Sequence, residues 1–289
     1  MTQLRVVTWN LGFGALGQEA SFIGDGGTSI WPSTRHDVKA NVQAIVATLQ
    51  ELKADVYCLQ EVSKGGTQSR GINILNAISE ALPQHQGHFE PDIYVFGRPS
   101  RKLLPHGLAL FTRLPLLAAD HTVLGHSTWG GFVQKRHGAQ LCELDAGPTT
   151  LRLSNLHLEA YTEEAGMKWG AAQRLFDWAK SSSAPTVLAG DWNMLLAPLD
   201  AQPDADQSYE ISWAVEFPAD RLPDGLSLVP AEGVPTNRSV QAPLSSGRCL
   251  FSSLDGFVVS DEIASQSAHV VDMGFEPSDH HPVVLDLEL

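Results

Sequence analysis

The chain has 289 residues, 43% of them hydrophobic, enough to bury a substantial core in one layered domain spanning 1–289. Its formal charge of −14, from 33 acidic and 19 basic side chains, argues against a basic stripe for gripping long nucleic acid and leans toward a small substrate. No apolar run approaches the roughly 18 residues of a membrane span, and the start lacks the basic region and cleavage site of a signal peptide, so the cytoplasm is the expected location.

Residues 4–10 form a β-branched-rich run that predicts a strand ending on Asn10. Residues 11–33 are rich in Gly and Ser without apolar periodicity and predict a loop over one face. From Thr34, an expected N-cap with Asp37 three positions on, Val38, Val42, Ile45, Leu49 and Leu52 recur at helical spacing. Residues 55–61 repeat the opening theme, an apolar strand closing on Gln60 and Glu61. A helix is expected over 72–82, then a core strand over 107–113 with a turn at Pro115. Two β-rich segments follow, 132–144 and 150–157, the second closing on His157. Helical spacing returns at Met167, Ala171, Leu175 and Trp178 before a buried strand from Thr186, which stops at Gly190 and delivers Asp191 and Asn193.

Residues 194–247 break this rhythm. They hold seven of the 17 prolines and eight acidic residues, with only Arg221 and Arg238 as bases, and predict an irregular insertion forming an acidic rim or lid. The last strands are expected around 249–260, which carries Asp255, and after Ser278-Asp279-His280-His281-Pro282. Runs of consecutive strands between helices indicate a layered α+β sandwich rather than an alternating parallel sheet. Cys58, Cys142 and Cys249 are widely spaced in apolar surroundings and read as reduced core residues.

Asn10, Glu61, His157 and Asp191 lie at strand exits, whereas Asp255 and the Asp279-His280 pair lie at strand entries. In a sheet with antiparallel pairs, exits and entries share one edge, so all six groups can converge there. Such a set suits hydrolysis of a phosphate ester assisted by a divalent cation. Glu61 and Asp279 offer the hard oxygen ligands that Mg²⁺ prefers, histidines can donate to phosphoryl oxygens, and a carboxylate positioned by an amide can take a proton from water. His281 reads as structural, because neighbours in an extended chain point to opposite faces. The clusters Arg98-Arg101-Lys102 and Lys135-Arg136 read as solvated charge, and one that faced the site would bind a second phosphate or another anionic group.

In this order, Thr8-Trp9-Asn10, Leu59-Gln60-Glu61-Val62, residues 107–115, Asn155-Leu156-His157, Gly190-Asp191-Trp192-Asn193, Leu254-Asp255-Gly256 and Ser278-Asp279-His280 resemble the endonuclease/exonuclease/phosphatase superfamily of metal-dependent phosphoesterases. The resemblance implies a four-layer α/β/β/α sandwich of two mixed sheets. It implies Glu61 as principal Mg²⁺ ligand, with Mn²⁺ an alternative, and Asn10 and Asp279 close to the metal. Asp191 would activate or orient water with Asn193 beside it, His280 would bind the phosphoryl group or act as base, and Asp255 would orient a histidine. His157 matches the sphingomyelinase-like and pancreatic-DNase-like branch. Gly12 stands where the repair-endonuclease branch carries an Asp, which counts against abasic-site repair. The implied function is hydrolysis of a phosphodiester or phosphomonoester of a small or lipid-derived substrate. A Mg²⁺-dependent nuclease and a non-catalytic binding module are the alternatives, and no protein partner is implied.

Overall fold

The computed structural model describes residues 2–102, 104–160, 165–198 and 215–289. Fifteen strands build its two large sheets: β1 (Gln3–Asn10), β2 (Val56–Ser63), β3 (Gln86–Pro91), β4 (Ile93–Val95), β5 (Arg98–Pro99), β6 (His106–Thr112), β7 (Leu116–Trp129), β8 (Val133–Asp145), β9 (Thr150–His157), β10 (Thr186–Asp191), β11 (Leu226–Val229), β12 (Ala231–Glu232), β13 (Asp255–Ser260), β14 (Ser265–Val270) and β15 (Val283–Glu288). The first sheet runs β12-β14-β15-β1-β2-β6-β3, and the second runs β11-β13-β10-β9-β8-β4-β5 with β7 along the other side of β8. Both are mixed: β1 is parallel to β2 and antiparallel to β15, and β10 is parallel to β9 and antiparallel to β13.

Four layers follow from which faces are apolar. Leu4, Val6, Val56, Cys58, Leu153, Val187, Phe257 and Leu285 meet in the seam between the sheets. The alternate residues Val7, Trp9, Tyr57, Leu59 and Phe111 face α1 (Arg35–Leu52) and α2 (Ile74–Ala81) on the outside of the first sheet. Leu188 and Val258 face Ala172, Leu175 and Phe176 of α3 (Ala165–Lys180) on the outside of the second. Central strands with both faces covered need apolar residues at every position, which is why they read as unbroken runs. Each fully buried Leu or Phe contributes roughly 1.5–3 kcal/mol.

The predicted N-cap of the first helix holds, and the helix expected over 72–82 spans Ile74–Ala81. Thr34 caps α1 by accepting from Asp37 N at 3.3 Å, and Asp37 Oδ2 accepts from Thr34 N at 2.8 Å, a reciprocal capping box. Two features differ from the sequence reading. Residues 116–129, for which the sequence predicts no element after the turn at Pro115, form the long strand β7, paired with β8 from Leu116 opposite Leu144 to Trp129 opposite Val133. Its residues are mostly exposed and two bulges interrupt it, so it has no clean alternation to read. Residues 194–247 are not uniformly irregular: β11 and β12 join one edge of each sheet, while residues 199–214 lie outside the described residues. Strands this short between prolines carry no period of their own. Among the described residues no helix is long and apolar enough to cross a membrane, and Cys58, Cys142 and Cys249 are free and buried.

Candidate active site

Strand alternation delivers most of the site. Residues two apart share a face, so the seam-facing series Leu4, Val6 continues as Thr8 and Asn10, Leu153 continues as Asn155 and His157, and Ala189 continues as Asp191. The seam therefore changes from apolar to polar as it nears one edge. Where it changes, Gln60 Nε2 donates to Asn155 Oδ1 at 2.8 Å and to Thr8 Oγ1 at 3.1 Å, while Asn155 Nδ2 donates to Gln140 Oε1 at 2.8 Å. This buried amide layer ties the sheets together directly beneath the site. Register then sets Asp191 beside His157 on β9 and beside Asp255 on β13.

Glu61 arrives by a different route. Strict alternation would send it outward with Leu59, because Gln60 already faces the seam. A bulge between Leu59 and Val62 inserts an extra residue, and Glu61 takes a left-handed φ of 54°, which turns its carboxylate toward the seam. A non-glycine residue in that region costs of order 1 kcal/mol or more and persists only where its surroundings hold it. Asn193 is also left-handed, at φ 48°.

Seven of the predicted residues, Asn10, Glu61, His157, Asp191, Asn193, Asp279 and His280, line one cavity of about 260 Å³. Asp255, the eighth, stands behind His280, its Oδ2 2.8 Å from His280 Nδ1 and accepting from Thr236 Oγ1 at 2.7 Å. Asp191 is held at both oxygens: Asn10 Nδ2 donates to Oδ2 at 3.0 Å, and the Asn193 backbone N–H donates to Oδ1 at 2.9 Å. His157 Nε2 lies 3.6 Å and His280 Nε2 4.0 Å from that same Oδ2. His281 is structural, its Nδ1 accepting from Met273 N at 3.0 Å and its ring against Phe275.

Burial sets the electrostatics. It pushes Glu61 up to about 8, against the pull of Lys135 and with the push of Asp279, whose own carboxyl burial also raises. Burial, aided by Asp255, lifts Asp191 to about 6. Burial drives His157 well below the ordinary imidazole value, with Lys135 and the neighbouring histidines acting the same way. For His280 burial pulls downward, but Asp255, Asp279 and Asp191 outweigh it and hold the ring charged. Glu61 and Asp279 are crowded out of water, with Lys135 Nζ 3.7 Å from Glu61 Oε1 and His280 Nε2 4.0 Å from Asp279 Oδ2, and burial outweighs both cations. Glu61, Asp279 and Asn10 present oxygen donors of the kind that a hard divalent cation takes. Asp191, Asp255 and His280 also bring ligand-type atoms within 4.8 Å of one another. There Asp255 Oδ2 is already engaged by His280 and Thr236, while its Oδ1 has no hydrogen-bond partner among the described residues.

Several residues of the site have no signal in the sequence. Lys135 corrects the solvated-charge reading of its cluster: it lines the cavity, while Arg136 lies over the Tyr94 ring at 3.6 Å. On a strand, neighbours part to opposite faces, which is why one of the pair enters and the other does not. Arg98, Arg101 and Lys102 are exposed, as expected. Asn237, from the stretch read as irregular, puts Nδ2 3.0 Å from His280 Nε2. Lys168 reaches from α3 to donate to the carbonyls of Ala160 and Asn193 at 2.7 and 2.9 Å. Gly12, at φ 50°, leaves no room for a larger residue, since a Cβ would come 2.6 Å from Asp279 Oδ1.

The model of the Endonuclease/Exonuclease/phosphatase family matches residues 7–280. No curated protein matches the chain. Among solved structures, the chain is similar to an endonuclease/exonuclease/phosphatase from Bacteroides vulgatus, with TM-score 0.66 and 16% identity over 100% of both chains. It is similar to truncated Caenorhabditis elegans TDP2, with TM-score 0.64 and 15% identity over 99% of this chain and 98% of that one. It is also similar to D. rerio TDP2 complexed with single strand DNA product, with TM-score 0.62 and 11% identity over 100% of both chains.

Proposed function

As the chain belongs to the Endonuclease/Exonuclease/phosphatase family, we propose that it is a divalent-cation-dependent phosphoesterase acting by in-line attack of water on a phosphodiester or phosphomonoester of a small or lipid-derived substrate. The observation that carries this reading is the Asp191 carboxylate, clamped at both oxygens by Asn10 and Asn193 and facing His157, His280 and the Glu61–Asp279 pair across one cavity. In this reading Glu61, Asp279 and Asn10 hold Mg²⁺ or Mn²⁺. The cation, when bound, polarises a phosphoryl oxygen and offsets charge on the leaving oxygen.

The remaining steps belong to the protein. Asp191, ionised near neutral pH and fixed in direction, orients the attacking water and takes its proton. His280, kept cationic by Asp255, donates to the phosphoryl oxygens, where charge grows in the transition state. His157, neutral, donates a hydrogen bond to the same group, and Asn193 keeps the Asp191 turn in place through its own bond to the Leu158 carbonyl at 2.8 Å. Phe13, Leu16, Phe22, Leu104 and Trp129 give the cavity an apolar wall, which suits the carbon portion of a small ester. The cytoplasmic location expected from the sequence belongs to this reading. One compact catalytic domain over the whole chain belongs to the same proposal.

One observation favours a nuclease instead: the D. rerio TDP2 structure holds a single-stranded DNA product on a similar fold. Against it stand the net charge of −14 and the exposed acids Glu216, Asp220, Asp224 and Glu232. Hydrolysis of bis(p-nitrophenyl) phosphate tests the main reading, with activity expected in Mg²⁺ and none in excess EDTA. Turnover that persists in EDTA rules the mechanism out. Salt-sensitive cutting of single-stranded DNA that outpaces every small ester transfers the assignment to a nuclease.

A further inference from the structure

The cavity opens between two rims, and both of them expose apolar side chains. On one side β4 and β5 turn through Phe96 and Gly97, and β7 and β8 turn through Gly130, Gly131 and Phe132. The two tips are joined: Val95 pairs with Val133, and Phe96 N donates to the Phe132 carbonyl at 2.9 Å. The Phe96 and Phe132 rings stack at 5.2 Å yet stay 79% and 47% exposed, and Trp129, 48% exposed, reaches from the same tip to the cavity. On the other side Phe22, Gly24 and Asp25 line the cavity, while Ile23, Ile30 and Trp31 of the same loop are exposed. Phe96 is the most informative of these. A two-residue turn with both centres left-handed, φ 49° at Phe96 and 73° at Gly97, ordinarily takes Asn-Gly. A phenylalanine there strains the backbone and leaves its ring in water, so neither the turn nor the core accounts for it.

This corner also reverses the charge of the chain. Residues 93–102 and 126–137 hold five of the 19 basic side chains, Arg98, Arg101, Lys102, Lys135 and Arg136, and none of the 33 acidic ones. Lys135 faces into the cavity and Arg136 covers Tyr94, which leaves Arg98, Arg101 and Lys102 exposed at the outer edge. Acids from neighbouring elements do not cancel them there. Asp92 is buried, Glu61 lies in the cavity, and Glu159 accepts from Ser127 Oγ at 2.8 Å.

Exposed aromatics beside exposed cations suit two polyanionic surfaces, a single strand of nucleic acid and an anionic lipid bilayer. The opposite rim decides between them. A groove that tracks a nucleic-acid backbone is positively charged along its length. Residues 17–33 carry Glu19 and Asp25 and no Lys or Arg, and they expose Ile23 and Ile30 instead. The arginines next to this rim are tied back to its base, Arg70 donating to the Ser33 carbonyl at 2.9 Å and Arg35 to the Arg70 carbonyl. Apolar side chains on both sides of one mouth match the boundary between headgroups and acyl chains, where aromatic rings settle. We infer that the mouth of the cavity docks on an anionic lipid bilayer. Phe96, Phe132, Trp129 and Ile23 enter the boundary layer, and Arg98, Arg101 and Lys102 meet the anionic headgroups. A net charge of −14 carried by the rest of the surface then turns this corner, and no other, toward the bilayer. On the phosphoesterase reading above, the esters that reach the cavity are those the bilayer presents.

Flotation of the full chain with vesicles of phosphatidylcholine alone, and of phosphatidylcholine mixed with phosphatidylserine, tests this. The wild type should partition onto the mixed vesicles at least about tenfold better than onto phosphatidylcholine, and added salt should weaken it. The double variant F96S/F132S should bind the mixed vesicles about tenfold less or weaker still, and R98E/R101E/K102E about 100-fold less. All five side chains are exposed, so the urea unfolding midpoint should stay at its wild-type value in both variants. No partition onto the mixed vesicles, or partition that both variants retain, overturns the inference. Binding of single-stranded DNA that exceeds binding to the mixed vesicles and is lost in the same variants overturns it in favour of nucleic acid. Flotation needs no turnover, so a protein that docks but hydrolyses no ester removes the phosphoesterase reading and leaves the docking surface standing.

Discussion

The seam between the two sheets has two ends built by the same strands under the same alternation, and they are opposite in chemistry. At one end Leu4, Val6, Leu153, Val187 and Val259 pack methyl against methyl. A few residues further along, the same faces present Asn10, His157, Asp191 and Asp255, almost as deeply buried. Burial stabilises the first end and raises the free energy of the second, where charge is withdrawn from water. The polar end persists because each group is held by another: Asp191 by two amides, His280 by Asp255, and the sheets by the Gln60–Asn155–Gln140 layer between the two regimes. The apolar end is the platform on which that arrangement is kept rigid.

The largest expected effect breaks the contrast at its polar end. Glu61→Gln should lower cation-dependent kcat/KM by on the order of 10³ or more, the scale of losing a principal electrostatic element, while the fold survives. Retention of wild-type turnover would remove Glu61 from the site. Leu153→Ala breaks the apolar end instead. Deleting a fully buried Leu should cost about 2–5 kcal/mol in urea unfolding and leave kcat of the folded fraction near wild type. A large kcat loss without destabilisation would show that the two ends are not separable.

A pH series sharpens the comparison. Folded Glu61 without cation holds its proton up to about 8, far above its ordinary 4.5, so protons compete with the cation below that value. Mg²⁺ affinity measured by calorimetry should therefore rise roughly tenfold per pH unit toward 8 and then level. The sign for stability is opposite. Between about 4.5 and 8 the folded state holds a proton at Glu61 that the unfolded chain releases, so cation-free stability contributed by this residue falls as pH rises. Glu61→Gln should remove that part of the slope, and identical slopes in both proteins would show that the carboxyl is not perturbed. The smallest effect concerns the layer between the ends. Asn155→Leu leaves Gln60 and Gln140 short of a partner, and unfolding should register a loss of about 1–3 kcal/mol. An unchanged midpoint would mean that the amide layer adds nothing.

Much of this was legible before any coordinates. Period-two alternation and the 3.6-residue spacing of Val38, Val42, Ile45 and Leu49 carry the layers, and the polar groups that close apolar runs mark the site edge. Other features were not legible. Glu61 faces the seam because of a bulge, and a one-residue insertion into a ladder exists only relative to the partner strand. Lys135 is an ordinary polar residue until β8 brings it to the cavity. β7 carries no period in the sequence because an exposed hairpin strand has no buried face to pattern it.

What the amino-acid order determined by itself was local: which segments extend, which coil, and which polar side chains stand where an apolar run ends, because these depend on neighbours two to four positions away. Which carboxylate is clamped, which histidine stays charged and which lysine turns inward were decided only by tertiary structure. Those outcomes depend on desolvation and on partners as far apart in the chain as Asn10 and Asp191, or Trp9 and the carbonyl of His280. Such contacts have no energy until the two sheets close over them.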